Sequence, residues 1–404
     1  MLQPQDIVCF APDPWDAIWR NRHQIMTRLA RRHRVLYVEP RPYLRPTVSQ
    51  WRAGTVGWGD LWRPALRQVQ EHLHVYRSPL YAPLSGRPPL SNVTAGLRQL
   101  SLRGALRHLG FAGPILWLTR PDQDDVIGLL GERLLVYQVV DEYSAYADLD
   151  PVRAGHIRAR EQALLRRADV VLVTSRALLE SKGPANPQTH LVPNAVDFEA
   201  FQRVLREDQS PPPEFGPFPR PIIGYVGAIN DKIDLGLLAQ VARHYPRSTL
   251  VLVGPVSVRT AAAREELAVL QSHLNVHFLG RVEVAAVPRY MAHCDVALLP
   301  YRRNEWTRNI SSLKLLEYLA LGLPVVAVDL PMVEGLGEVV YTAANPEAFV
   351  DGVARALAEE APALRARRQA LAAGETWEHR VAQIESILEA ALAAGKRPVA
   401  GSTR

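Results

Sequence analysis

The chain has 404 residues, 48% of them apolar and 22% charged, which is ordinary globular material with enough length for two domains. Its two cysteines, Cys9 and Cys294, lie far apart, which argues against a disulfide framework or a cysteine metal site and fits a reducing compartment. The opening MLQPQDIVCF lacks the basic and apolar regions of a signal peptide, and no apolar run nears the roughly 18 residues of a spanning helix, so the expected location is the cytoplasm, peripherally at the inner face of the cell membrane.

Charge is concentrated at the front. Residues 1–110 hold 16 Lys and Arg against 6 Asp and Glu, a net of +10, within a total of +6. Five of the eight tryptophans, Trp15, Trp19, Trp51, Trp58 and Trp62, fall in the same segment. Arg and Trp together suit a membrane–water interface carrying anionic lipid. The mixture would also suit nucleic acid, but no nucleic-acid motif accompanies it, so nucleic acid is not an expected partner. A simply solvated basic surface is the plain alternative.

In chain order, Asp6–Phe10 predicts a strand, followed by the loop APDPWD. Residues Ala17–Arg32 predict a helix on the stripe Ile18, Ile25, Met26 and Leu29, and Val35–Glu39 predicts the next strand. This βαβ opening has no G-x-G-x-x-G, so a dinucleotide site is not supported there. Residues 41–70, rich in Pro, Trp and Arg, read as an irregular excursion before a strand at Leu73–Tyr76. A second irregular stretch, Pro79–Asn92, leads to a basic helical pattern through Leu97, Leu100, Leu102 and Leu106. Short apolar strands are expected at Ile115–Leu118 and Leu134–Val140. Asp141 follows the second, where an open parallel sheet places its ligand crevice; the plain reading of the same residue is a helix N-cap.

RADVVLVTSRALLES reads as a helix end, a buried strand and a Ser loop. In LVPNAVDFEAF, Asn194 and Asp197 are expected to satisfy local backbone groups. The proline-rich Asp208–Pro221 is the expected linker. Past it, PIIGYVGAIND, STLVLVGP, VHFLGRV and DVALLPY repeat a strand-then-turn rhythm, as a second doubly wound sheet would. Gly227 ends the first of these strands, where a missing Cβ would let backbone approach a phosphate.

Arg308–Val328 then reads as loop, helix and buried strand. Ser311 or Ser312 would cap the helix with its hydroxyl, Gly322 and Pro324 would stop it, and Leu313, Leu316 and Ala320 would face a core. Lys314, in the first turn, and Glu317, three residues on, share one face, at a helix end whose free N–H groups already favour an anion. An exposed Lys–Glu surface pair is the plain alternative. Helical patterns follow at Pro346–Glu359, Leu364–Ala373 and Trp377–Ala394, and residues 395–404 are expected to fray.

SSLKLLEYLALGLPVVAV resembles the donor signature P-x-K-x-x-E-[YA]-x-A-x-G-x-P-V-V of retaining, family-4-like glycosyltransferases of the GT-B fold. LVPNAVDFEAF closely resembles their V-P-N-G-V-D-x-x-x-F, with Ala195 for Gly, and PDPWDAIWRNRHQ with VLYVEP is similar to the start of a bacterial subgroup. The resemblance implies an α/β chain of two facing Rossmann-like domains. Residues 1–207 would form the acceptor side, 208–221 the linker, 222–373 the nucleotide-sugar domain, and 374–394 a last helix packing back on the first domain. The implied activity is metal-independent, hexosyltransferase-like transfer from a nucleoside diphosphate sugar, without further cofactor, to a glycan or lipid-linked acceptor in envelope or exopolysaccharide synthesis, with an anionic membrane surface as a further partner.

The resemblance also assigns residues. Lys314, Lys232 and the helix start at Ser311, Ser312 and Leu313 would meet the diphosphate, and Glu317 the ribose. Gly227, Gly254, Arg281 and Val282 would border phosphate, base and ribose. Asp141, Lys314 and Glu317 would be catalytic, and Trp15, Trp19, Arg20 and Arg22 would line the acceptor side. Three departures stand out. The Arg of the usual Arg–Lys clamp is missing around Ala228 and Asn230, VVDEY lacks the usual His near Asp141, and Asn309, a donor-side residue that would hold a sugar hydroxyl but carries no charge, replaces the first of two paired glutamates. They leave open a GT-B sugar-nucleotide epimerase or a non-catalytic GT-B binding protein.

Overall fold

The computed structural model describes residues 2–54, 57, 59–60, 65–84, 89–207 and 210–395, so Trp58, Trp62, Asp208 and the tail from 396 lie outside the described residues. The first sheet contains β1 (Asp6–Phe10), β2 (Arg34–Val38), β3 (Leu66–Gln70), β4 (Leu73–Tyr76), β5 (Ile115–Leu118), β6 (Leu134–Val139), β7 (Val170–Val173) and β8 (Thr189–Leu191), in the order β3-β4-β2-β1-β5-β6-β7-β8. All neighbours are parallel except β3 against β4. The runs DIVCF, ILWL, LLVYQV and VVLV are buried along their whole length, as strands covered on both faces must be.

The second sheet contains β9 (Ile222–Val226), β10 (Thr249–Val253), β11 (Val276–Gly280), β12 (Val296–Leu299), β13 (Val325–Val328) and β14 (Tyr341–Ala343). Its order is β11-β10-β9-β12-β13-β14, and every pair is parallel. In each sheet the first strand is central and the order reverses beside it, at β1/β5 and at β9/β12. Such switch points open a crevice beyond the carboxyl ends of the strands. The loop 11–20 leaves β1 there, and Gly227 leaves β9.

The helix Trp377–Ala394 crosses back to the first domain. Trp377, Val381, Ile384 and Leu388 share one buried cluster with Ile25, Leu29 and Val35. Arg28 braces the crossing, donating to Glu378 at 2.7 Å and to Asp197 at 2.9 Å. Among the described residues no helix is long and apolar enough to cross a membrane.

Four expectations change. The change of core comes earlier than Asp208–Pro221: Val192 and Ala195 belong to the first domain's core, whereas Val196, Phe201 and Phe215 are buried in the second. Prolines there do not mark chain free of packing: Pro213 opens the short turn Pro213–Phe215, which buries Phe215. The excursion 41–70 contains the helix Leu44–Arg52 and the edge strand β3, whose LRQVQ is too polar to read as a strand. The basic helix is Leu90–His108; it buries Leu102 and Leu106 but leaves Leu97 and Leu100 exposed.

The fourth change is at the first helix, which spans Asn21–Leu29 and does not begin at Ala17. Trp15 and Trp19 fold instead into an aromatic cluster with His23, and Trp15 also meets Tyr37. The N–H of Arg20 donates to His23 Nδ1 at 3.1 Å, and the N–H of Trp15 to Glu39 at 3.0 Å. Burial, and next the Arg22 charge, push the His23 imidazole down to about 4. The unfolded chain, with an ordinary His near 6.5, therefore binds the proton first. Stability from this group is complete above pH 6.5 and fades as pH falls toward 4, by up to about 3 kcal/mol. Denaturant unfolding from pH 7 to pH 4.5 should show a steeper loss in the wild type than in His23→Gln; equal slopes would place the titration elsewhere.

Candidate functional site

The site is built on the helix Leu313–Leu321, which begins after Ser312 and ends at Gly322 in a left-handed conformation, φ 75°. Ser312 does not cap the helix with its hydroxyl, which lies 3.1 Å from the Tyr301 hydroxyl. The first-turn N–H groups therefore keep their capacity for an outside acceptor. Leu315, Tyr318, Leu319, Ala320 and Leu321 are buried; of the expected set Ala320 is among them, while Leu316 packs partly buried on the second domain's core and Leu313 on the first domain's. The Val226 N–H donates to the Tyr318 hydroxyl at 2.9 Å and fixes the helix to the end of β9.

That anchor places Lys314 over Gly227. A Cβ on Gly227 would lie 1.8 Å from Lys314 Cε and 2.5 Å from Nζ. Behind it, a Cβ on Gly254 would lie 2.2 Å from the Gly227 carbonyl oxygen, so two glycines and a lysine stem are stacked where side chains would collide. Lys314 Nζ faces the Tyr225 ring at 5.6 Å and Lys232 Nζ the Tyr301 ring at 5.3 Å. Among the described residues neither ammonium has a hydrogen-bonded carboxylate. Burial lowers the pKa of both lysines; the Glu317 charge opposes this at Lys314, and Lys314 itself adds to it at Lys232. Burial raises the Glu317 carboxyl, with Lys314 opposing. A bound anion would favour both ammonium forms.

Asp141 follows the end of β6 on the facing wall. It is no helix cap: its carboxylate accepts from the Tyr146 hydroxyl at 3.1 Å and from Trp306 Nε1 at 3.4 Å, and burial raises its pKa. Beside it Glu142 takes Lys182 Nζ at 2.6 Å, as Glu161 does, a buried triad that anchors the loop. Trp306, which packs on Tyr146 with ring centres 4.9 Å apart, escaped sequence reasoning; a lone Trp in the polar RRNEWTRN was the available signal.

Asn194 reaches across the domains, contrary to a purely local role. Its Nδ2 donates to the Ser311 carbonyl at 2.6 Å and its N–H to Ser311 Oγ at 3.3 Å. Asp197 does accept the local Ala200 N–H, and Arg28 besides. Asn309 is buried, its Nδ2 donating to the Glu305 carbonyl at 2.7 Å while its own carbonyl accepts from Ser175. Arg281 is exposed and donates to the Asp16 carbonyl at 3.1 Å, and Val282 packs on the second core. Of the acceptor-side candidates, Trp15 and Arg22 are buried, Arg22 paired with Asp13, and Trp19 packs beside them. Arg20 remains half exposed, 3.3 Å from Asp13, and its charge acts on Asp141, Lys232 and Lys314.

Residues 220–359 match the family described as Glycosyl transferases group 1. The second domain is a group 1 glycosyltransferase domain. Within it lie Gly227, Lys232, Gly254, Arg281, Val282, Asn309, Ser311, Ser312, Leu313, Lys314 and Glu317; Asp141 and the loop 11–20 lie outside. The chain is 28% identical over 226 residues to a putative teichuronic acid biosynthesis glycosyltransferase, TuaH, of Bacillus subtilis, covering 54% of this chain and 55% of that protein. It thus spans about half the length of the curated relative it matches.

Among solved structures, sucrose-phosphate synthase from Thermosynechococcus elongatus superposes with a TM-score of 0.68 at 18% identity, over 97% of this chain and 100% of that one. The catalytic domain of starch synthase IV from Arabidopsis thaliana, bound to ADP and acarbose, gives 0.62 at 11%, again over 97% and 100%. At these identities the likeness shows the fold: the group 1 domain is the second half of a GT-B architecture.

Proposed function

We propose that the protein transfers a sugar from a nucleoside diphosphate sugar to a hydroxyl of a glycan or lipid-linked acceptor in envelope polysaccharide synthesis, with retention at the anomeric carbon. The observation that carries this is the placing of Lys314 and Lys232, without a bonded carboxylate, beside an uncapped helix start and two stacked glycines. That arrangement suits a diphosphate. The bound ADP of the starch synthase structure and the teichuronic acid role named for the Bacillus relative support the two halves of the reading.

In the transfer, the acceptor oxygen bonds to the anomeric carbon as the carbon–phosphate oxygen bond breaks. The diphosphate leaves with the electron pair and takes the acceptor proton on the same face. Lys314, Lys232 and the helix N-terminus stabilise the charge that develops. Glu317 accepts from ribose hydroxyls, and Asp141, held by Tyr146 and Trp306, orients a sugar hydroxyl. The acceptor is presented at an anionic membrane surface on the cytoplasmic side, a reading supported by the basic, Trp-rich first domain.

A thermal-shift screen of nucleoside diphosphate sugars tests the donor, since a ligand at 100 times its Kd adds about 2.7 kcal/mol. Glu317→Ala should then lose about 1.5–3 kcal/mol of donor affinity, the range for a charged hydrogen bond, with an unchanged melting temperature in the absence of ligand. Unchanged affinity in calorimetric titration would return Glu317 to a surface-pair role. Donor isomerisation without any acceptor would favour an epimerase.

A further inference from the structure

Helix Leu90–His108 is apolar on the side that faces water. Thr94, Leu102 and Leu106 are buried, while Leu90, Val93, Leu97 and Leu100 are 46%, 58%, 38% and 61% exposed. Positions 90, 93, 97 and 100 recur at helical spacing and form one continuous row, roughly opposite Leu102 and Leu106. A helix on the surface of a globular domain normally carries polar residues along that row.

The row has neighbours of the same kind. Helix Leu44–Arg52 buries none of its residues and exposes Val48 and Trp51, with Tyr43 exposed just before it. The two helices are tied together: the Leu44 N–H donates to the Leu84 carbonyl at 3.0 Å, and Arg98 donates to the Ala82 and Pro83 carbonyls at 2.9 Å. Among the described residues, eight of the fourteen large exposed hydrophobics fall between Tyr43 and Leu100. Exposed apolar side chains that cluster, unlike scattered ones, mark an interaction surface.

The charge around this face identifies what it meets. Residues 72–121 contain six arginines and no Asp or Glu. Arg103 and Arg107 are exposed toward the end of the long helix, and Arg45 and Arg52 on the short one. An apolar row edged by arginines, with acids excluded over fifty residues, complements a layer that is apolar below and negative above. We infer that the outer face of helices Leu44–Arg52 and Leu90–His108 docks the protein on anionic lipid, with Val93, Leu97 and Leu100 at the headgroup–acyl boundary and the arginines on lipid phosphates. The inference rests on the membrane reading of the acceptor given above, and it moves the contact away from Trp15 and Arg22, which are buried.

Co-sedimentation with vesicles of equal phosphatidylcholine and phosphatidylglycerol tests it. At low salt the wild type should bind these vesicles, bind phosphatidylcholine vesicles weakly, and be released by added salt. The double substitution Leu97→Glu with Leu100→Glu should lower the bound fraction about tenfold or more, with an unchanged melting temperature because both residues are exposed. Arg103→Ala with Arg107→Ala should weaken binding at low salt and flatten its salt dependence. If the wild type binds and the leucine variant binds equally well, the docking face is overturned while the membrane reading stands. If the wild type ignores anionic vesicles at low salt, both fall, whereas donor-induced thermal shifts report on sugar transfer separately. If light scattering shows a wild-type dimer that the leucine variant makes monomeric, the face is covered by a second copy and the lipid assignment is overturned.

Discussion

Lys314→Ala is expected to lower kcat/KM by about a hundredfold or more, the usual loss when one fixed donor of positive charge is removed from a developing anion. The same variant should bind a nucleoside diphosphate more than about tenfold more weakly and the corresponding nucleoside within about twofold of wild type. Lys314 lies along the surface left by Gly227 and faces no carboxylate except Glu317, one turn on, so its charge is held for something outside the protein. Lys232→Ala should show the same selectivity with a smaller loss, because Lys232 sits on a loop and not at a helix start. Calorimetric titration with both ligands decides the point. Equal losses for diphosphate and nucleoside would mean that the lysines support the domain.

The strands and the two-sheet plan were legible because β1, β5, β6, β7, β9, β10 and β13 are short apolar runs whose burial on both faces leaves no other reading. The ends of helix Leu313–Leu321 were legible too: Gly322 stops it in the left-handed conformation, and Ser312 stands at its start, though without the hydroxyl cap that marked it. Its buried face was legible only in part. The helix is wedged between two domains, so Leu313 packs on one core and Leu315, Leu316, Tyr318 and Leu319 on the other, and an apolar stripe read for one core finds only part of the set.

What remained hidden was non-local. The first helix is shortened by the cluster of Trp15, Trp19, His23 and Tyr37, whose members run from the loop after β1 through the helix to β2. Asn194 serves Ser311, 117 positions away, and Trp306 serves Asp141, 165 away. A motif marks such residues without saying whom they touch. For Lys314 and Gly227 the motif and the fold meet, because a helix start placed beside the end of a central strand leaves few other neighbours.

Gly254→Ala should be the most damaging small substitution in the second domain. Gly254 has φ 141°, a conformation strained for any residue with a Cβ, at a cost of about 1–3 kcal/mol. Its added Cβ would also stand 2.2 Å from the Gly227 carbonyl oxygen and 2.6 Å from the carbonyl carbon. Both are backbone atoms, and they cannot swing aside: the Gly227 N–H is bonded to the Val253 carbonyl at 2.6 Å and the Gly254 N–H to the Gly280 carbonyl at 2.7 Å. Overpacking adds about 1–3 kcal/mol, so about 3 kcal/mol or more is expected in all. For a domain of this size that is a fall of about 10 °C in the melting temperature, read by scanning calorimetry. Gly227→Ala makes the instructive contrast. At φ 146° it carries the same backbone strain, but its Cβ would meet only the far end of Lys314, which can rotate away, so without the backbone collision the melting temperature should fall less while diphosphate affinity is lost. A Gly254→Ala protein melting within about 2 °C of wild type would show that the two strand ends can part, and that the close stacking of the glycines is not what holds Lys314 in place.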